Sequence, residues 1–100
     1  MRFGGHYEPW IQARLQVIER HFGRDWFAGK SLLELGCGYA AIGEHFHHLG
    51  ANVTCVEARA EHVQFLREHK PFLHVVQHDL DSRDWPFEDD YDLILHTGVL

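Results

Sequence analysis

Residues 31–43 read SLLELGCGYAAIG, an apolar run followed by a pair of glycines and then by residues that favour a helix. The run from Ser31 to Leu35 is short and flanked by turn-forming residues, which is typical of a buried strand. Gly36 permits a tight turn, and Gly38 lets a ligand approach the backbone where a side chain would intrude. The segment therefore predicts a strand, a glycine loop and a helix whose unpaired N–H groups face the loop.

The apolar residues on either side of this segment alternate between helical and strand-like spacing. One stripe of an amphipathic helix precedes the segment and consists of Ile11, Leu15, Ile18 and Phe22. After the glycine loop, the glycine at position 50 and the proline at position 71 stop two crossover helices. The predicted elements are helices over residues 9–22, 42–49 and 59–70, strands over residues 31–35, 52–57, 74–78 and 91–95, and a polar loop over residues 79–90.

This alternation indicates an α/β fold with a parallel sheet, because right-handed crossovers join successive parallel strands. In such sheets, ligands bind beyond the carboxyl ends of the strands. Four candidate ligand-binding residues lie at or just past the ends of predicted strands and are expected to converge on one rim of the sheet: Gly36, Glu57, Asp79 and His96. A function is therefore to be sought at this rim.

The composition is that of one ordinary globular domain. The chain has 100 residues, of which 45% are hydrophobic and 24% charged, and its formal net charge is −6. Such a chain can bury one modest core, and its acidity argues against binding to nucleic acid through phosphates alone. It lacks a membrane span of roughly 20 apolar residues and the apolar core of a secretion signal. We expect a soluble, cytoplasmic protein whose two cysteines, Cys37 and Cys55, are reduced and buried.

Two acids at predicted strand ends suit a nucleoside. Glu57 ends the second strand, where a carboxylate can accept hydrogen bonds from both hydroxyls of a ribose. Asp79 ends the third strand and can accept a hydrogen bond from a base amine, while Ala58 or Leu80 offers apolar contact to the ring. The structural alternatives are a solvated acid at a helix start for Glu57 and an ordinary loop acid for Asp79.

Four motifs in order resemble those of class I S-adenosylmethionine-dependent methyltransferases: ELGCGYA at residues 34–40, VEA at 56–58, HDL at 78–80 and YDLILH at 91–96. The resemblance spans residues 31–100 and implies a Rossmann-like parallel sheet with helices on both faces and strand order 3-2-1-4. The chain departs from the family pattern by having Ala40 at the third glycine. It also stops at Leu100, so we expect a domain truncated after strand four.

The resemblance also implies which residues hold the cofactor. In the family, the loop matched by Glu34 and the two glycines holds the methionine part, and the acids matched by Glu57 and Asp79 bind the ribose and the adenine. The catalytic residue is unknown; His96 is a candidate for touching the cofactor or accepting a proton, with a hydrogen-bonded structural role as the alternative. The expected cofactor-binding residues are Glu34, Gly36, Cys37, Gly38, Glu57, Ala58, Asp79, Leu80 and His96.

Glu34 separates the two cofactors that such a glycine loop can bind. A nicotinamide dinucleotide brings an anionic pyrophosphate to the loop, where a carboxylate is unfavourable. A methionine moiety brings an ammonium group, which a carboxylate attracts. We therefore expect S-adenosylmethionine and keep an NAD-dependent oxidoreductase as the alternative.

The expected organisation is an amino-terminal helical segment over residues 1–30, followed by an S-adenosylmethionine-binding half-domain over residues 31–100. His45, His47 and His48 lack the spacing of a metal site on a helix, so we expect solvated side chains and no metal. Trp10 belongs to the amino-terminal helix, which could shape the acceptor pocket. We expect its ring to pack on the sheet instead, because large aromatic side chains are usually buried.

The predicted function is transfer of the sulfonium methyl group to an unidentified acceptor. A small molecule is the default acceptor, because the acidic chain has no positive sign of nucleic-acid binding and no membrane segment. The reaction needs alignment more than a general base, since the sulfonium is already activated. A non-catalytic cofactor-binding or interaction module is the alternative from a different class, because the second half of the domain is missing.

Overall fold

The structure, a computed structural model, describes residues 9–87 and 90–96. Its elements follow the predicted order, with one additional short helix. They are α1 (Pro9–Phe22), a 3-10 helix (Arg24–Phe27), β1 (Ser31–Leu35), α2 (Ala41–His48), β2 (Asn52–Glu57), α3 (Ala60–His69), β3 (His74–Gln77) and β4 (Leu93–Leu95).

The four strands form one parallel sheet in the order β3-β2-β1-β4, which confirms the predicted strand order. The register pairs Leu35 with Val56 and Glu57 with Gln77, so the carboxyl ends of neighbouring strands lie at the same edge. We predicted that β4 begins at residue 91, but it begins two residues later. The reason is that the side chain of Asp92 bonds to the start of β1, where its Oδ2 accepts from the Ser31 N–H at 2.8 Å.

The two crossover helices pack on the same face of the sheet. This face presents Leu32, Val53, Cys55 and Val75, which form one buried core cluster with Phe46 of α2. This is expected, because both crossovers run in the same direction along the sheet, and the usual right-handed crossovers then place their helices on one side. Further members of this cluster come from α1 and α3, namely Leu15, Val63 and Leu66.

The opposite face of the sheet carries the polar connection between β3 and β4. Residues 78–87 and 90–92 of this connection form no helix. Leu33 and Val56 are fully buried on this face, whereas Ile94 on the edge strand is 51% exposed. A groove of about 870 Å³ lies here, lined at one end by Ser31 and Asn52, the first residues of β1 and β2.

The 3-10 helix was not predicted, and it joins α1 to the core through aromatic rings. Trp26 stacks on Phe22 with their ring centroids 4.5 Å apart, and Phe27 stacks on Phe46 at 4.6 Å. Phe27 is fully buried. Its burial therefore fixes the end of α1 against α2.

The two cysteines are free and buried, as the sequence predicts. Within residues 9–87 and 90–96, the helices are too short or too polar to cross a membrane.

Candidate functional site

The glycine loop between β1 and α2 has three left-handed residues within five positions. The φ angles are 67° at Gly36, 57° at Gly38 and 60° at Ala40. Glycine adopts such angles without steric strain, whereas alanine does so rarely. A Cβ on Gly38 would meet no atom within 4 Å, so the loop presents bare backbone to open space there. The sequence predicts that a ligand approaches the backbone at Gly38, and this open space leaves room for one.

Glu57 is held at the junction of this loop with the start of α3. Its carboxylate is only 4% exposed. Oε1 accepts a hydrogen bond from the Gly38 N–H and Oε2 accepts one from the Arg59 N–H, both at 2.9 Å. Burial alone would raise the pKa of Glu57, but these two bonds, with the charges of His62 and Arg59, hold that pKa below its ordinary value. Glu57 is therefore an oriented anion at neutral pH, and each oxygen has a further lone pair for a ligand hydroxyl.

Glu34 is also buried but is bound differently. Ala40 precedes α2 and has no side chain that can cap the helix, so Oε1 of Glu34 accepts from the Gly43 N–H at 3.0 Å instead. Burial raises the pKa of Glu34 to about 8, although the Gly43 bond and the charge of Lys70 act to lower it. Glu34 therefore keeps its proton at neutral pH until a cation approaches, and an ammonium group would draw it into the ionised form.

Gly43 is a site residue for which the sequence analysis made no assignment. A Cβ at this position would lie 2.9 Å from Oε1 of Glu34 and 3.1 Å from Sγ of Cys55. Glycine is thus required for α2 to approach the carboxyl group closely enough to bond to it. The sequence signal was present, because a glycine inside a helix is unfavourable unless close packing needs it.

A cleft of about 180 Å³ lies between the glycine loop and α1. One wall of the cleft is formed by Glu34, Gly36 and Cys37, and the other by Trp10 and Ile11 of α1. Trp10 is 45% exposed, so our expectation that it packs on the sheet was wrong. The cleft is smaller than the cavities that enclose whole drug-sized ligands, and its size suits one polar end of such a ligand.

The large groove on the opposite face is a weaker candidate despite its volume. It reaches the amino ends of β1 and β2, whereas the buried acids and the glycine loop lie at the carboxyl ends. Parallel α/β sheets bind ligands at the carboxyl ends. The small cleft and the adjoining rim are therefore the candidate site.

The other expected site residues lie farther along the rim. Asp79 is exposed, and its Oδ1 accepts a hydrogen bond at 2.9 Å from the N–H of Asp81 in its own loop. Ala58 is exposed and its carbonyl accepts from Nε2 of Gln77, which ties β2 to β3. Leu80 is half-buried and His96, directly after β4, is exposed. The fold thus brings together Glu34, Gly36, Cys37, Gly38 and Glu57, while Ala58, Asp79, Leu80 and His96 occupy the outer parts of the rim.

Three further residues at or beside the glycine loop were not identified as site residues from the sequence. The ring of Tyr39 packs on His62, with ring centroids 4.5 Å apart, and Nδ1 of His62 lies 3.6 Å from Oε2 of Glu57. Nζ of Lys70 donates a hydrogen bond to the Tyr39 carbonyl at 2.7 Å. They are brought together by the packing of α3 beside the loop, so no spacing along the chain could have indicated them.

The three histidines of α2 have separate partners. Nε2 of His45 lies 3.4 Å from Glu19, Nε2 of His48 lies 3.7 Å from Glu44, and the ring of His47 stacks on Phe72. Across residues 9–87 and 90–96, no three histidine, cysteine, aspartate or glutamate side chains are grouped as a metal site.

A family described as "Methyltransferase domain" matches residues 32–100 of the chain. Among curated proteins, the mitochondrial ubiquinone biosynthesis O-methyltransferase of Schizosaccharomyces pombe is 37% identical over 46 residues, which are 46% of this chain and 17% of that enzyme.

Two solved structures show how far the fold is shared. A TehB-like S-adenosylmethionine-dependent methyltransferase from Corynebacterium glutamicum aligns with a TM-score of 0.72 and 25% identity, over 95% of this chain and 48% of its own. A T. thermophilus 16S rRNA N2 G1207 methyltransferase, solved with S-adenosylmethionine and guanosine, aligns with a TM-score of 0.78 and 24% identity, over 96% of this chain and 27% of its own. The chain therefore spans less than half of the length of each of these proteins.

Proposed function

The chain belongs to the methyltransferase-domain family, whose cofactor is S-adenosylmethionine, and from this premise we propose that its rim binds this cofactor for methyl transfer to a small-molecule acceptor. The observation that carries the proposal is the hydrogen bond that the Gly38 N–H donates to the Glu57 carboxylate. Through it, an anionic carboxylate and a bare stretch of backbone are held side by side at the ends of β1 and β2. This is the pair of groups that a ribose and its attached chain require.

The residues present fit the separate parts of the cofactor. Glu57 would accept hydrogen bonds from the two ribose hydroxyls through its remaining lone pairs. The cleft beside Glu34 would take the methionine part, since its volume of about 180 Å³ suits a short amino acid chain. An ammonium group next to Glu34 would lower the pKa of this carboxyl group, which would then release its proton to solvent and pair with the cation. Asp79, with Leu80 and Ala58, would meet the adenine at the outer rim.

The chemistry asks little of the protein besides orientation. When bound, S-adenosylmethionine supplies a methyl group that its sulfonium has already activated. Cys37, Gly36 and Gly38 would then exclude water from one side and leave the backbone close to the bound molecule. No general base is assigned. His96 remains a candidate for touching the cofactor or receiving a proton, because it follows β4 on the same rim.

A small-molecule acceptor is supported by charge and by one relative. The net charge of −6 is unfavourable for a polyanion such as RNA. The fungal relative acts in ubiquinone biosynthesis, which concerns a small molecule. The T. thermophilus neighbour acts on rRNA, but at 24% identity it shares only the fold. A small molecule is therefore the acceptor to test first.

The cofactor is tested by calorimetric titration of the chain with S-adenosylhomocysteine and, separately, with NADH. We expect saturable binding of S-adenosylhomocysteine and none of NADH, because only S-adenosylhomocysteine has an ammonium group that the Glu34 carboxyl group can pair with. Binding of NADH alone would favour an oxidoreductase and contradict the proposal.

The acceptor is tested with S-adenosylmethionine carrying a labelled methyl group, offered to the chain with pools of phenols, amines and RNA. Label in a small molecule supports the proposal, and label in RNA contradicts its acceptor class. Tight binding of S-adenosylhomocysteine with no label in any pool would favour a non-catalytic cofactor-binding module.

A further inference from the structure

Lys70 is a buried cation next to the glycine loop, and the proposed function assigns it no role. It follows α3 directly and is only 5% exposed. Nζ donates to the carbonyl oxygen of Tyr39 at 2.7 Å and lies 3.0 Å from Oε1 of Glu44 on α2. The ammonium group therefore joins three parts of the chain: the end of α3, the glycine loop and the first turn of α2.

The residue that Lys70 contacts is held from two sides. The ring of Tyr39 packs against His62 and Phe65 of α3, with centroid distances of 4.5 Å and 5.0 Å. Its carbonyl group, on the backbone side, bonds to Lys70. The next residue, Ala40, has the left-handed φ of 60°, a conformation that alanine seldom adopts without support. Fixing the carbonyl just before this residue stabilises the unusual turn.

A purely stabilising role does not explain why a lysine is buried here. Removing an ammonium group from water is costly, and buried ion pairs can often be replaced by apolar side chains without loss of stability. Lys70 differs from an apolar side chain in one useful respect, which is that it donates to a particular backbone oxygen of the loop. It also acts on Glu34, since its charge lowers the pKa of that carboxyl group.

We propose that Lys70 is a positioning residue that holds the loop of residues 36–41 in the conformation that binds the cofactor. This inference rests on the proposed function of that loop. Without the bond to the Tyr39 carbonyl, the binding conformation is only one of several that the loop populates. The apparent affinity then falls by the fraction of molecules that remain in it.

The decisive variant is Lys70→Met, which keeps the length of the side chain and removes its donors. Its matched control is Arg67→Met, because Arg67 lies in the last turn of α3 and likewise donates to a backbone carbonyl, that of Val75 on β3, at 3.2 Å. We expect Lys70→Met to weaken S-adenosylhomocysteine binding about tenfold, and Arg67→Met to leave it unchanged. Both are measured by calorimetry, with urea denaturation of each variant alongside.

Rescue by a conservative change separates positioning from stability. Lys70→Arg keeps a positive donor near the Tyr39 carbonyl, so its affinity should lie closer to wild type than that of Lys70→Met. If Lys70→Met does not fold, Glu44→Gln serves instead. This variant removes the charge that orients the ammonium group and should weaken binding about threefold.

Three outcomes overturn the inference. They are wild-type affinity in folded Lys70→Met, equal loss of affinity in Arg67→Met, and unchanged affinity in Glu44→Gln where that variant is needed. Failure of the proposed function is distinguishable from all three, because the wild-type chain would then not bind S-adenosylhomocysteine.

Discussion

Glu57 and Asp79 follow neighbouring strands of the same sheet, yet the fold treats the two carboxylates differently. Glu57 is 4% exposed and accepts hydrogen bonds from two separate elements, the glycine loop and the start of α3. Asp79 is exposed and bonds to Asp81 within its own loop. A position at a strand end therefore places an acid on the rim, but only contacts from a second element hold it in one orientation. A functional group needs that second element to be preorganised.

The largest expected effect is the loss of Glu57. Glu57→Ala removes the anion proposed for the ribose and leaves two backbone N–H groups without their acceptor. Since a hydrogen bond to a charged group contributes about 1.5–3 kcal/mol, S-adenosylhomocysteine affinity should fall by about a hundredfold. Calorimetric titration measures this loss. Glu61→Ala, which removes an exposed acid from α3, is the control and should bind like wild type. An affinity within threefold of wild type for Glu57→Ala would show that the acid has no role in binding.

Gly43→Ala tests the packing beneath the other buried acid. Its new methyl group would lie 2.9 Å from Glu34 and 3.1 Å from Cys55, so α2 must move away from the sheet. Overpacking of this kind costs about 2 kcal/mol of the free energy of unfolding. Urea denaturation measures the change. A variant as stable as wild type would mean that α2 moves freely and that the bond from Gly43 to Glu34 contributes little.

Glu34→Gln tests the same buried acid through the pH dependence of stability. The pKa of Glu34 is about 8 in the folded chain and 4.5 as its ordinary value. Between these values the unfolded chain has lost a proton that the folded chain keeps, so this group makes the free energy of unfolding fall as pH rises. Glutamine has no proton to lose and can still accept from the Gly43 N–H. The variant should therefore gain stability over wild type as pH rises, by more than about 1 kcal/mol between pH 5.5 and pH 8.5.

The measurement for Glu34→Gln is urea denaturation of both proteins at pH 5.5, 7 and 8.5. Two pH profiles that run parallel would show that Glu34 is ionised in the folded chain at all three values. The same variant should bind S-adenosylhomocysteine less tightly than wild type, because it has no negative charge for the ammonium group. A gain in stability with a loss of binding would mark Glu34 as a residue kept for its ligand.

The smallest effect is expected from Asp79→Asn, which completes the comparison of the two strand-end acids. Asparagine keeps the acceptor that bonds to the Asp81 N–H, and position 79 is exposed. S-adenosylhomocysteine affinity should stay within about threefold of wild type, and stability within about 0.5 kcal/mol. Calorimetry and urea denaturation check both values. A loss as large as that of Glu57→Ala would mean that Asp79 becomes ordered when the cofactor binds.

The parts of the site that could be predicted are those in which sequence neighbours act together. Gly36 and Gly38 are separated by one residue between a strand and a helix, and that context is enough to indicate a ligand loop. The position of Glu57 on the rim could be predicted because the end of an apolar run marks the end of its strand. Trp10 was misplaced because aromatic content indicates burial in general, whereas the actual exposure of this ring depends on where α1 lies beside the loop.

Local patterns in the sequence predicted the strand order, the glycine loop and the rim that carries the acids. This was possible because hydrophobic period, glycine position and strand ends are properties of short segments. Local patterns did not indicate that Glu34 is buried and caps α2, or that Lys70 reaches the Tyr39 carbonyl. These depend on how closely α2 and α3 pack against the sheet. Such distances are set by side chains far apart in the chain, and no short segment contains that information.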